Sequence, residues 1–368
     1  MKYLLAGVLA GVLTAWPATV AAAEGWQQWQ TVPGVFDVGG PRADGSLVVA
    51  GSGRLYTLTS GGALTPFARG EDPGAEAYLA DSPGVGCFPK DQIFVLRLHA
   101  PIGVTRISAD GSSSAPFANV DLPSLNGIAF DTAGFFDHRL LVTGPVNGKT
   151  EVAAIDCNGS VQVITASAPV AEGGLAVAPI GFGGFDGDLI MPDELSGIIW
   201  AIAPDGSSSQ VVNSGLPKGQ DTGVESVAFA PPGLIAGGGY VYYSDRLTAG
   251  NPHPGTDHVL RLSSADLASS GVHDGDLLAA TEGGASMIDV RCEAACHVFS
   301  VVPLPTSAHG EGHLVFALTP QPPSPVATAV QVAYAPPGRG IPVAAVVALL
   351  AAVLGGAAAA LVLARRRR

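Results

Sequence analysis

Ile198-Ile-Trp-Ala-Ile-Ala-Pro-Asp-Gly-Ser-Ser-Ser-Gln-Val-Val212 is an alternating run, a turn and a second alternating run. Asp205-Gly206 offers the positive φ that a tight turn demands, so the stretch reads as a β-hairpin. Three other segments share this design: Arg54-Leu-Tyr-Thr-Leu-Thr-Ser-Gly-Gly-Ala-Leu-Thr-Pro-Phe-Ala68, Gly103-Val-Thr-Arg-Ile-Ser-Ala-Asp-Gly-Ser-Ser-Ser-Ala-Pro-Phe-Ala118 and Glu151-Val-Ala-Ala-Ile-Asp-Cys-Asn-Gly-Ser-Val-Gln-Val-Ile164. Their turn glycines, Gly61, Gly111, Gly159 and Gly206, recur at intervals of 50, 48 and 47 residues. A period of about 48 residues with four strands per unit is that of a propeller blade.

A second series keeps the same phase. Short apolar strands begin at Glu76, Asn126, Glu172, Glu225 and Glu282, spaced by 50, 46, 53 and 57 residues. Their small residues suit innermost strands, which converge on an axis. With Gly34-Val-Phe-Asp-Val38 as the first, the inner strands number six, and the fold expected is an all-β six-bladed propeller over residues 24–318. A pair of β-sandwiches is the alternative. Arg139-Leu-Leu-Val-Thr143, Asp188-Leu-Ile-Met191 and Tyr240-Val-Tyr-Tyr-Ser244 read as second strands of their blades. The last unit reads as strands near 285–290, 297–302 and 312–319, with Trp26-Gln-Gln-Trp-Gln-Thr-Val32 from the amino terminus as its outer strand. Joining both chain ends in one blade closes the ring and removes an exposed edge.

The two ends outside this body set an address. Lys2, an apolar run to Trp16 and the small residues Ala21-Ala22-Ala23 form a secretory signal over 1–23. Residues 319–340 are rich in proline and read as an extended stalk. Residues 341–364 hold no charge and precede Arg365-Arg366-Arg367-Arg368, the pattern of a single transmembrane helix with a cytoplasmic basic cluster. The chain is thus expected to be exported and anchored in the membrane, its body on the extracytoplasmic side. Residues 24–318 carry 12 Lys and Arg against 31 Asp and Glu, net −19, which excludes a nucleic-acid partner.

Cys87, Cys157, Cys292 and Cys296 permit two disulfides in an oxidising compartment. Cys292-Glu-Ala-Ala-Cys296-His297 reads as a local disulfide bracing a loop, with a variant haem-attachment site as the sharper alternative. His309-Gly-Glu-Gly-His313 has the spacing of a zinc-binding helix, but its glycines oppose one. The stretch from Asn251 to His258 reads as a loop inserted into the fifth unit.

Equivalent starts of inner strands face each other across a propeller's central channel. Glu76, Asn126, Glu172, Glu225 and Glu282 are therefore expected to gather at one mouth. Carboxylates at close quarters repel, so such a ring persists where a cation binds, protons are taken up or water screens it. An oxygen-only set suits Ca²⁺ or Mg²⁺. Asp193, Glu194 and Asp221 are the candidate substrate-side neighbours, and no nucleophile elbow or phosphate-cradling loop is found.

Asn126-Gly-Ile-Ala-Phe-Asp131, Glu172-Gly-Gly-Leu-Ala-Val-Ala178 and the Pro204-Asp205-Gly206 turn resemble the six-bladed propellers of the gluconolactonase and senescence-marker-protein family and the NHL-repeat proteins. That resemblance implies an axial divalent cation held at inner-strand starts. Asn126 and Glu172 match it by type and place, whereas Glu76 and Glu225 stand where the family has an amide or Asp. The tail is similar to the sorting signals handled by exosortase-like systems, without their Pro-Glu-Pro signature; a permanent anchor is the plainer reading. Two functions follow: a membrane-anchored binding module for an extracytoplasmic small molecule, glycan or protein, or a cation-dependent hydrolase of lactone-like substrates working at the channel mouth.

Overall fold

Gly206 adopts φ 85° and donates its N–H to the Ala203 carbonyl at 2.8 Å, while Asp205 Oδ1 accepts the Ser207 N–H at 2.9 Å. Gly62, Gly111 and Gly159 take the same left-handed conformation in their turns. In the first turn the residue doing so is Gly62, one beyond the Gly61 expected. A Cβ on Gly206 would lie 2.6 Å from the Ile164 carbonyl oxygen, and one on Gly159 would lie 2.3 Å from that of Phe117. Each of these two turns therefore nests against the outer strand of the preceding blade, and the periodic glycine serves packing as well as turn geometry.

In this computed structural model residues 25–68, 76, 78–301 and 307–319 are described. They build six antiparallel four-stranded sheets. After β1 (Gln27–Thr31) come blade 1, β2 (Val35–Gly39), β3 (Leu47–Gly51), β4 (Arg54–Leu58) and β5 (Leu64–Phe67), and blade 2, β6 (Leu79–Asp81), β7 (Ile93–Arg97), β8 (Gly103–Ile107) and β9 (Ser114–Asn119). Blade 3 holds β10 (Gly127–Phe130), β11 (Leu140–Val146), β12 (Lys149–Ile155) and β13 (Val161–Ala168). Blade 4 holds β14 (Ala176–Val177), β15 (Leu189–Asp193), β16 (Ile198–Ile202) and β17 (Ser208–Asn213).

The chain then departs from simple repetition. It passes from β18 (Val224–Phe229) through the one-turn α1 (Leu234–Gly237) to β19 (Gly239–Asp245) and β20 (His258–Ser263). After α2 (Ser264–Ser269) it returns through β21 (Leu277–Thr281), β22 (Met287–Cys292) and β23 (Cys296–Ser300), and ends in β24 (Gly310–Leu318). Blade 5 is ordered β18-β21-β22-β23, and blade 6 is ordered β24-β19-β20-β1. Of the segment expected as the sixth inner strand, 285–290, the residues from Met287 on thus lie in the third strand of blade 5, and of 297–302 those up to Ser300 lie in that blade's outer strand. The sixth inner strand is β24, and Tyr240 to Ser244, expected in blade 5, lie second in blade 6. The place beside β18 is taken by β21, which leaves the β19–β20 hairpin to pack Tyr243, Leu260 and Leu262 against Leu278 and Ala280 in the gap between the two blades. Both chain ends do share one blade, since β1 pairs with β20 and β24 with β19.

Six apolar clusters hold the ring, one in each gap between blades. Strand β3 shows how: Leu47 and Val49 face blade 6, whereas Val48 and Ala50 face blade 2. Alternation persists in the pleat, but both faces are buried, so the strand reads as a continuous apolar run. Cys87–Cys157 joins the β6–β7 loop of blade 2 to the β12–β13 turn of blade 3, and Cys292–Cys296 closes the β22–β23 hairpin.

The chain divides into Met1–Pro320 and Gln321–Arg368. The signal segment, the stalk beyond Thr319, the apolar tail and the arginine cluster lie outside the described residues, among which no helix is long and apolar enough to cross a membrane.

Candidate functional site

The inner strands begin around a cavity of about 590 Å³ at one mouth of the channel. Glu76, Asn126, Glu172, Glu225 and Glu282 all line it, as do Glu194 and Asp221. Seven carboxylates face this space, counting Glu311, against Lys149, Arg246 and His309 as its basic groups. Asp193 does not join them. It ends β15 and accepts the Ser196 N–H at 3.1 Å, together with the Ser196 hydroxyl, which makes it a turn-forming residue.

The lining residues differ in what they already hold. Asn126 donates from Nδ2 to the Ala171 carbonyl at 2.9 Å and accepts Thr143 Oγ1 at 3.2 Å, so its amide ties blade 3 to the connector into blade 4. Glu76 is exposed, its side chain 62 % accessible, and accepts Arg246 Nη1 at 3.0 Å. Glu225 is buried and accepts the Tyr78 hydroxyl at 2.8 Å. Glu194 accepts the Thr222 N–H at 3.3 Å and has Glu282 as its neighbouring carboxylate.

His309 and Glu311 are the principal residues that the sequence reading missed. His309 is 2 % exposed, and its Nε2 lies 3.0 Å from Glu282 Oε1 and 3.3 Å from Glu311 Oε1. Glu311 Oε1 also takes Arg246 Nη1 at 3.2 Å, and the guanidinium sits 5.3 Å from the Phe36 ring centroid. The unexpected topology builds this corner. The end of β19 delivers Arg246, while Asp245 fixes the following strand by accepting the His309 N–H at 2.8 Å. The signal was present as His309-Gly-Glu-Gly-His313, whose i, i+2 spacing puts His309 and Glu311 on one face of an extended strand.

Electrostatics follow from burial and crowding. Burial, then the Glu311 and Glu282 charges, push Glu225 well above the usual carboxylate range, although the Tyr78 hydroxyl opposes them. Burial likewise raises Glu311, against the pull of His309. Glu172 remains open to the cavity's solvent, yet the surrounding walls and then the Glu311 and Glu282 charges raise it. Burial and then the neighbouring Glu282 carboxylate lift Glu194 to about 8. For His309 burial works the other way, but the hydrogen bonds its imidazole donates to Glu282 and Glu311 overcome it and carry the imidazole to about 9. The cavity therefore meets its excess of negative charge by holding protons.

Beneath the carboxylates the channel is closed by packed rings. Tyr78 lies 5.0 Å from Phe36 and meets His313 edge-on at 5.9 Å between centroids. His313 spans the axis, Nδ1 at 2.9 Å from Asp37 Oδ1 and Nε2 at 2.8 Å from the Ile128 carbonyl.

No family model matches the chain, and no curated protein matches it. Solved structures similar to it include a gluconolactonase-like protein, at 11 % identity, TM-score 0.47, covering 81 % of this chain and 90 % of that one. They also include the calcium-binding protein regucalcin from Agrobacterium tumefaciens, at 12 % identity, TM-score 0.45, with 76 % and 78 % coverage. A third is a virginiamycin B lyase from Staphylococcus aureus with quinupristin, at 13 % identity, TM-score 0.46, with 77 % of each chain covered. The distant resemblance read from the sequence is found again among these structures.

Proposed function

We infer that this chain is an exported propeller, tethered through its carboxy-terminal segment, whose central cavity takes a divalent cation and a small polar ligand beside it. The observation that carries this reading is the charge imbalance of the cavity, seven carboxylates against three basic groups. Protonation relieves that imbalance at a cost in pH sensitivity, and a bound dication relieves it directly. Glu225, Glu282 and Glu311 offer the oxygens, whereas Asn126 is already engaged. A volume of about 590 Å³ leaves room for an organic ligand next to an ion. The leader, the apolar tail and the two disulfides support a place outside the cytoplasm. The direct test is metal analysis of the purified propeller, followed by thermal-shift titration with divalent cations and EDTA. Absence of bound metal together with no shift for any cation rejects the reading.

Within the same cavity Glu194, raised to about 8 beside Glu282, favours a second reading, cation-dependent hydrolysis of lactone-like substrates. A bound cation would polarise a carbonyl or activate water there, and Glu194 would offer a transferable proton at the wall. Hydrolysis of a lactone panel that is abolished by EDTA, and by Glu194→Gln without loss of metal, supports this reading. No turnover across the panel with metal bound leaves the binding module.

A further inference from the structure

The geometry points to a mixed nitrogen and oxygen metal site at Glu282, His309 and Glu311, which takes a first-row transition dication of the Zn²⁺ or Mn²⁺ class in preference to Ca²⁺ or Mg²⁺. This deepens the reading of the cavity as a cation site and rests on it.

One ligand atom from each of the three residues lies within 4.8 Å of the other two. His309 Nε2 stands 3.0 and 3.3 Å from the two carboxylate oxygens. Neighbouring donors on one ion with bonds of about 2.1 Å are separated by about 3.0 Å at a right angle and about 3.4 Å at the tetrahedral angle. The imidazole nitrogen thus already stands at ligand-like spacing from an oxygen of each carboxylate, and donor atoms of all three residues fall within 4.8 Å of one another.

A second observation is the pair of orphaned polar atoms at this strand: His309 Nδ1, and the hydroxyl of the fully buried Tyr243, which packs at Gly310, have no hydrogen-bond partner. A buried hydroxyl without a partner costs stability. Its position is imposed by close packing, because a Cβ on Gly310, between His309 and Glu311, would fall 2.7 Å from Tyr243 Oη.

The donor chemistry selects the ion. Calcium and magnesium take oxygen ligands, whereas an imidazole beside two carboxylates suits zinc, manganese or iron. The triad also leaves Glu76, Glu172 and Asp221 free of it, lining the rest of the cavity for the organic ligand.

The test is isothermal titration of the metal-stripped protein with ZnCl₂, MnCl₂ and CaCl₂, in the parent and in His309→Ala, Glu282→Gln and Glu172→Gln. Zn²⁺ or Mn²⁺ is expected to bind at least roughly tenfold more tightly than Ca²⁺, with His309→Ala and Glu282→Gln each losing roughly tenfold or more of that affinity and Glu172→Gln keeping it. Circular dichroism checks each fold; should His309→Ala fail to fold, Glu282→Gln bears the test alone. Tighter binding of Ca²⁺, or transition-metal binding indifferent to both triad variants, overturns this inference and leaves the broader cation reading standing. Binding of none of the three metals overturns both.

Discussion

His313 and Asp37 bridge the last strand and the first inner strand, 276 residues apart in sequence, at 2.9 Å. Asp37 also accepts the N–H groups of Val38, Leu79 and His313 at 2.8, 2.7 and 2.7 Å, and the far side of the imidazole reaches Ile128. One buried pair therefore ties blades 6, 1, 2 and 3 across the axis. Breaking such a pair by removing one partner strands the other, at about 3–5 kcal/mol. His313→Ala and Asp37→Ala are each expected to lower unfolding stability by about that much, and a shift of less than about 1 kcal/mol in denaturant melts would show that the tie is dispensable. Burial disfavours the charged imidazole, but Asp37 more than compensates and raises His313 above its ordinary value. Its stabilising contribution is therefore complete below about 6.5 and is lost as pH climbs through the raised value.

The carboxylates of the cavity give the opposite partner chemistry but a slope of the same sign. Glu194 holds its proton up to about 8 in the folded chain. An unfolded Glu releases it near 4.3, so the folded state carries no penalty below that pH and a growing one between there and about 8. In EDTA, stability is expected to fall as pH rises from 5 to 8, a window lying within those limits. Glu194→Gln should flatten that slope and gain on the order of 1 kcal/mol at pH 8, measured by chemical denaturation. An unchanged slope would assign the proton elsewhere.

Gly206 combines a left-handed conformation with a carbonyl 2.6 Å from where a Cβ would stand. Gly206→Ala is expected to cost about 1–3 kcal/mol, well beyond the propensity difference between the two residues. Gly148, also left-handed but with nothing near its Cβ position, is the control. Equal losses at the two sites would remove packing from the explanation.

The two disulfides should not contribute alike. Cys87–Cys157 spans 70 residues and Cys292–Cys296 spans 4. Loop-closure entropy then assigns about 4 kcal/mol to the first and about 2 kcal/mol to the second. Paired Cys→Ser variants, compared by thermal melts, check the order; a larger loss at Cys292–Cys296 would reverse it.

Much of this architecture was readable because turns and inner strands obey local rules. Asp205-Gly206 demands a turn wherever it occurs, and small apolar runs preceded by Glu or Asn recur in phase. Strand pairing obeys no such rule. Nothing in Tyr240-Val-Tyr-Tyr-Ser244 says whether its edge will meet Val224–Phe229 or Gly310–Leu318, since residues buried on both faces suit either slot. That single ambiguity displaced β24 from the inner position, and with it His309 and Glu311 from the expected site. Asp193 was misplaced for a smaller reason: at the end of a strand, an Asp two residues after Met191 can cap the turn as readily as face the channel. Glu194, one residue on, does face it.

The order in which the polypeptide is made acquires meaning from the interrupted fifth blade. Five inner strands are in place by residue 229, yet His309, Glu311 and His313 arrive only with the sixth, which is the last strand described. A product halted after β23 would own every other wall of the cavity, but neither the imidazole at its corner nor the one sealing its floor. The proposed ion site would in this sense be a signature of completed synthesis.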